Sequence, residues 1–131
     1  MQRLRSIMAA LAAGAIAIAA PVLAHPKLVR ATPANAAIAH NVSRINLSFN
    51  EALFARFSTV DVMMTGMPGR SAAGHHPPMK MPGVRVSLTT DRKTLTAAFP
   101  RPLPAGRYTV NWRVVSSDTH RTTGRISFTV T

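Results

Sequence analysis

From Lys27 onward, apolar and polar residues alternate with a period of two rather than 3.6, the rhythm of strands with one buried face. Arg44-Ile45-Asn46-Leu47-Ser48-Phe49 alternates throughout. In Val60-Asp61-Val62-Met63-Met64, the residues Val60, Val62 and Met64 share one face. Val84, Val86 and Leu88 alternate with Arg85 and Ser87, and Leu95, Ala97 and Phe99 continue the pattern. The longest run carries Tyr108, Val110, Trp112 and Val114, and Ile126, Phe128 and Val130 close the chain. With Lys27 to Ala31 this gives about seven short strands. Turn chemistry separates them: Thr32-Pro33-Ala34-Asn35, Thr90-Asp91-Arg92-Lys93, and the rigid crossing Pro100-Arg101-Pro102-Leu103-Pro104-Ala105-Gly106. The expected fold is all-β, an antiparallel sandwich or barrel, with Trp112 in the core between sheets. One connection, Thr65 to Pro82, is long for so small a domain, and long loops tend to be functional or disordered.

Residues 1–24 follow another rule. Arg3 and Arg5 form a positive start, Ile7 to Ala20 is an apolar run, Pro21 breaks it, and Val22-Leu23-Ala24 puts small residues at the two positions read by a signal peptidase. The run is shorter than the roughly 20 residues of a membrane span. The layout is that of a secretory signal cleaved after Ala24, leaving residues 25–131 as one exported domain that does not span a membrane. The formal charge of the 131 residues is +12, with 16 Lys and Arg against 4 Asp and Glu. Export argues against nucleic acid as the partner of that charge. Arg30, Arg44, Arg56, Arg70, Arg85 and Arg101 stand singly and form no run, so the charge carries little functional weight at this stage. There is no cysteine, hence no disulfide framework and no thiolate ligand; soft-metal chemistry falls to methionine sulfur.

Three features gather metal-binding side chains. Cleavage after Ala24 makes His25 the first residue, and a free α-amine beside its own imidazole is a chelate. Pro26 has no backbone N–H, so a copper ion held there cannot recruit an amide nitrogen from residue 26, and the remaining ligands must come from elsewhere. The second feature is Ser116-Ser117-Asp118-Thr119-His120: in an extended segment Asp118 and His120 point the same way and offer an oxygen and a nitrogen. Alone, this stretch reads better as a turn in which Asp118 bonds its own backbone and His120 is a surface residue. With His25 it makes a nitrogen-rich set suited to Cu(II). The third feature is the long loop with Met63, Met64, Met67, His75, His76, Met79 and Met81; apart from Met1 and Met8, every methionine is here. Neutral thioethers favour Cu(I), and a flexible apolar surface is the alternative reading. Met63 and Met64 point to opposite faces, and the expected loop-facing pair is Met64 with Met67.

The chain resembles the CopC/PcoC-type periplasmic copper-resistance proteins. The resemblance is carried by the cut before His25, Thr32-Pro33-Ala34, Leu47-Ser48-Phe49-Asn50-Glu51, Phe57-Ser58-Thr59-Val60, the Met/His loop, Asp118-Thr119-His120 and Gly124-Arg125-Ile126-Ser127-Phe128-Thr129-Val130. It implies a periplasmic protein with an immunoglobulin-like or cupredoxin-like Greek-key β-sandwich or barrel of seven or more strands. It implies a Cu(II) site at His25, Asp118 and His120, with Glu51 as a weak ligand or an outer partner. Some members add a Cu(I) site of Met-x-x-Met and His-x-x-Met character, matched here by Met64-x-x-Met67 and His76-x-x-Met79. Arg70 stands where a further methionine would continue that spacing, and a Gly-Arg-Ser-Ala-Ala-Gly insert separates the halves. Members of the family often work beside a membrane copper transporter, of the CopD type.

The function expected is a copper carrier or buffer with no chemical turnover. Two other readings share the same residues. Oxidative polysaccharide-cleaving enzymes also hold copper through an N-terminal histidine, though one Trp and one Tyr give little for a sugar-binding face. A non-metal β-sandwich accessory module is the other.

Overall fold

The computed structural model describes residues 25–68 and 77–131, so residues 1–24, Arg70, His75 and His76 lie outside the described residues. Strands β1 (Leu28–Thr32), β2 (Ile38–Ala39) and β3 (Arg44–Phe49) come first. A single 3-10 turn, Ala55–Phe57, precedes β4 (Thr59–Gly66) and β5 (Met79–Lys80). Then follow β6 (Arg85–Leu88), β7 (Thr94–Ala98), β8 (Gly106–Val115) and β9 (Arg121–Val130). The strands form two sheets, in the orders β1-β3-β7-β6 and β2-β9-β8-β4-β5. Pairing is antiparallel except between β2 and β9. The architecture is the expected β-sandwich.

The seven strands anticipated from alternation are all present, with β2 and β5 in addition. Thr65 to Pro82 is not wholly loop: β4 runs on to Gly66, and Met79 and Lys80 pair back onto Met64 and Met63.

Alternation becomes burial where the sheets face each other. Ile45, Leu47 and Phe49 of β3 and Leu95 and Ala97 of β7 meet Val60 and Val62 of β4, Tyr108, Val110 and Val114 of β8, and Phe128 of β9. Each such aliphatic or aromatic side chain stabilises the fold by about 1.5–3 kcal/mol on leaving water. Trp112 is buried as expected, against Phe49, ring centres 6.2 Å apart. Tyr108 stacks on Phe128 and donates its hydroxyl proton to the carbonyl of Pro104 at 2.6 Å. That bond fastens the proline-rich crossing, which also hangs on Val42 through the Leu103 amide at 2.7 Å. The expected turn at Thr90–Lys93 closes the β6–β7 hairpin, with Asp91 accepting from the Thr89 hydroxyl and the Lys93 amide.

The β8–β9 hairpin spans the molecule. At one end Arg107 is level with Gly66, where β4 leads into the methionine segment; at the other Val115 and Arg121 lead into residues 116–120. Those ends lie roughly 25 Å apart at about 3.3 Å per residue.

Candidate metal centre

Residues 116–120 are a tight turn and not the extended segment the spacing of Asp118 and His120 invited. Ser116 donates its amide to the His120 carbonyl at 2.9 Å, and Thr119 returns its amide to Ser116 at 2.8 Å. Thr119 takes φ 73°. This left-handed conformation is one a β-branched residue adopts only at a cost of about 1–3 kcal/mol. With the chain reversing there, Asp118 and His120 face each other: Oδ2 of Asp118 lies 2.9 Å from Nδ1 of His120. The other carboxylate oxygen accepts from the buried Ser116 hydroxyl and, at 3.4 Å, from the His120 amide. The Ser116 hydroxyl first, and the His120 ring second, hold the Asp118 carboxyl down to about 2. Asp118 is therefore an anion throughout the physiological range.

Nδ1 of His120 is buried and has no hydrogen bond of proper geometry; the Asp118 oxygen meets it at ion-pair distance, off the axis a ring N–H would need. A buried ring nitrogen against an ionised carboxylate puts a nitrogen and two oxygens, donor types that metal ions take, side by side.

A second segment delivers His25 to the same place. Pro26 is fully buried and pins the start of the described segment. Lys27 donates its amide to Asn50 Oδ1 at 2.7 Å, and Asn50 donates its own amide to the Lys27 carbonyl at 3.1 Å. Two residues on, the Ala52 carbonyl accepts the Ser117 amide at 2.9 Å, and Leu53 bridges Ser116. Residues 50–53 thus tie the N-terminal segment to the β8–β9 turn. The result is an edge-to-face contact between the His25 and His120 rings, centres 5.0 Å apart and planes at 88°. Two imidazoles bound side by side to one ion at about 2 Å have ring centres roughly 4.5 Å apart, so the pair is close to ligating distance. Glu51, half-buried, sits between Asn50 and Ala52 at this same end of the sandwich.

Among the described residues no three His, Asp or Glu side chains converge on a single point. In the full chain the main-chain nitrogen of His25 is an amide joined to Ala24 and a poor ligand.

The methionines lie at the other end. Met64 is 9% exposed and belongs to the core, whereas Met63 is on the outer face beside Lys80, so the burial of the two is the reverse of the sequence expectation. The reason is register: Met64 has the parity of Val60 and Val62, all facing the opposite sheet. Met79 is the direct cross-strand partner of Met64 and is 57% exposed; Met81, whose amide bonds the Val62 carbonyl, packs on the core edge; Met67 is 49% exposed just past β4. Thioethers of Met67, Met79 and Met81 therefore lie on or near one sheet edge, with Met64 behind them.

Two residues that support the histidine site carry little signal in the sequence. Ser116 is fully buried and orients Asp118; Asn50 clamps the N-terminal segment. The one available sign was Ser116 at the end of an apolar strand, where a hydroxyl has to find a buried partner.

The comparisons agree with this fold. The CopC domain matches residues 28–131. Copper resistance protein C of Pseudomonas syringae pv. tomato is 40% identical over 126 residues, covering 96% of this chain and 96% of that protein. Copper resistance protein C of Escherichia coli is 42% identical over 114 residues, 86% of each chain. The crystal structure of PcoC, a methionine-rich copper resistance protein from Escherichia coli, superposes with a TM-score of 0.72 at 39% identity, covering 82% of this chain and all of that one. The chain belongs to the CopC domain family.

Proposed function

We propose that this protein binds copper in the service of copper resistance, holding Cu(II) at the end of the sandwich where His25 stands against His120 and His120 against Asp118. The observation that carries the site is the edge-to-face contact of the His25 and His120 rings, 5.0 Å apart, with Asp118 against His120. The names of the relatives, copper resistance protein C, support copper as the cargo. In this reading residues 1–24 direct export to the periplasm and are removed, and cleavage creates the amine. Amine, two imidazoles and one carboxylate form a hard-to-borderline set that places Cu(II) highest among divalent first-row ions. Asp118 lowers the net charge of the bound ion, and Ser116 keeps its oxygen oriented. Glu51 is an outer partner on the same segment.

The methionine end takes Cu(I) through Met67, Met79 and Met81, with His75 and His76 as further donors from the intervening segment. Thioethers need no deprotonation and are soft, so the two ends divide the oxidation states between them. The protein carries or buffers the ion without chemical turnover, and a membrane copper transporter of the CopD type is its exchange partner. No helix among the described residues is long and apolar enough to cross a membrane.

The test is a Cu(II) titration against a competing chelator, on the form that begins at His25 and on one carrying a single extra residue before it. The expected outcome is one tightly bound Cu(II) for the first and a loss of affinity of at least about 100-fold for the second. Equal affinity would remove the amine from the site and with it this reading. Copper-loaded protein given ascorbate and oxygen is expected to show no sustained oxygen consumption.

A further inference from the structure

Four arginines of the last two strands, apart in the sequence, gather on one face of the molecule. In β8 the buried residues are Tyr108, Val110, Trp112 and Val114, so Arg107 and Arg113 point away from the core. In β9 the buried residues are Ile126, Phe128 and Val130; Arg125 points the other way, as does Arg121, directly opposite Val115. All four guanidiniums leave the same outer face of the five-stranded sheet. The acid that β4 contributes to that face, Asp61, is bound by Lys80 at 2.6 Å. Arg56 adds a fifth guanidinium from the 3-10 turn, 5.8 Å from the Phe57 ring centre.

At the metal-centre end this cationic face has a concavity of about 350 Å³, lined by Phe54, Phe57, Arg113, Val115, Thr119 and Arg121. Its floor is apolar. Val115 is buried although it lies outside the core, because the 3-10 turn folds over it, with the Phe54 amide on the Val115 carbonyl at 2.8 Å. Phe54 and Phe57 form an edge-to-face pair above it, and Phe57 is 56% exposed. A large aromatic ring left in water beside an apolar hollow, with arginines at the rim, matches the make-up of an interface anchor site. Two of the lining residues, Thr119 and Arg121, flank His120.

We propose that this hollow and the arginine face around it dock an acidic segment of a partner protein, with one aromatic or large aliphatic side chain of that segment seated between Phe54, Phe57 and Val115. Charge complementarity selects the acidic character. A hollow receives a protruding side chain, which a protein segment supplies, whereas a membrane-bound surface lays a continuous apolar face into the headgroups. The location deepens the copper-carrier reading and draws its importance from it, since a partner docked here sits beside His120; the docking itself needs no metal.

The experiment uses metal-free, isotope-labelled protein and a synthetic peptide with one phenylalanine flanked on each side by two glutamates. A control peptide replaces the phenylalanine by serine, and vesicles of phosphatidylglycerol serve as a third probe. Amide shifts on adding the first peptide are expected at Phe57, Val115, Thr119 and Arg121, with binding about tenfold weaker for the serine peptide and at least tenfold weaker for Phe57→Ala and for Arg113→Glu. Both side chains are exposed, so an unchanged melting temperature confirms the fold, and Arg113→Lys retains most of the affinity. Equal affinity for the two peptides, or no effect of Phe57→Ala, overturns the proposal. So does a response at these residues to the vesicles with none to the peptide, which makes the face a membrane-docking surface. Because the protein is metal-free, failure of the His25 copper site leaves this result intact, and failure of docking leaves the copper titration intact.

Discussion

His25 and His120 come from opposite ends of the described chain and meet ring edge to ring face, centres 5.0 Å apart. The contact exists because residues 50–53 bind both neighbours, Lys27 on one side and Ser116–Ser117 on the other. If the two rings share one Cu(II), His120→Ala lowers its affinity by at least about 100-fold while the melting temperature of the metal-free protein barely moves, since His120 lies in a turn outside the core. Asn50→Ala removes the clamp and leaves every ligand in place. It is expected to weaken Cu(II) by about tenfold, as loss of an outer orienting group does. Competition titrations of both variants decide the matter; a His120→Ala protein that binds like the parent would take the second ring out of the site.

The Asp118 carboxyl is the group whose acidity the fold changes most clearly. It is held from 3.8 down to about 2, by the Ser116 hydroxyl above all. A depressed carboxyl contributes stability that is complete above pH 3.8 and is lost as the pH falls through about 2. In metal-free protein, an NMR titration of Asp118 is expected to show a midpoint near 2, moving up toward 3.8 in Ser116→Ala. A parental midpoint already at 3.8 would mean that the Ser116 contact is not formed in solution.

The strands were legible because period-two alternation is a local property: Tyr108, Val110, Trp112 and Val114 announce a buried face before any partner is known. β2 and β5 were not, because two residues make no period and their pairing, Ile38 to Thr129 and Met79 to Met64, is decided by distant strands. The candidate metal-binding side chains were visible by type, but the arrangement of Asp118 and His120 was not: they face each other through the reversal at Thr119. The arginine face was present in the sequence as parity within β8 and β9, and was invisible to a search for runs.

Gly124 is opposite Trp112 in the β8–β9 register, and the indole lies over it. A Cβ at this position would stand 2.7 Å from Cε2 of Trp112. That is closer than packed atoms tolerate, and the indole is itself wedged against Phe49. Gly124→Ala is therefore expected to destabilise the protein by about 1–3 kcal/mol. Urea unfolding should show a lower midpoint with an unchanged slope, and the tryptophan emission should shift. An unaltered midpoint would show that the ring moves aside freely.

Met64 and Met79 are direct cross-strand partners with opposite surroundings, one in the core and the other 57% exposed. The pair separates packing from metal binding. Met64→Ala opens a cavity beneath the β4–β5 edge and is expected to cost about 2–4 kcal/mol, whereas Met64→Leu keeps the volume and costs less than about 1.5 kcal/mol. Met79→Leu removes an exposed sulfur and keeps its bulk, so the melting temperature stays where it is. If the methionine edge holds Cu(I), Met79→Leu lowers Cu(I) affinity by about tenfold or more, and Met67→Leu does the same. Competition with a Cu(I)-specific chelator under reducing conditions measures it. Affinity unchanged in both variants would assign these methionines to an adaptable apolar surface. The Cu(II) titration of the same proteins should stay at the parental value, because the two ends of the β8–β9 hairpin are roughly 25 Å apart. A joint loss at both ends would instead show that the substitutions disturb the sandwich as a whole.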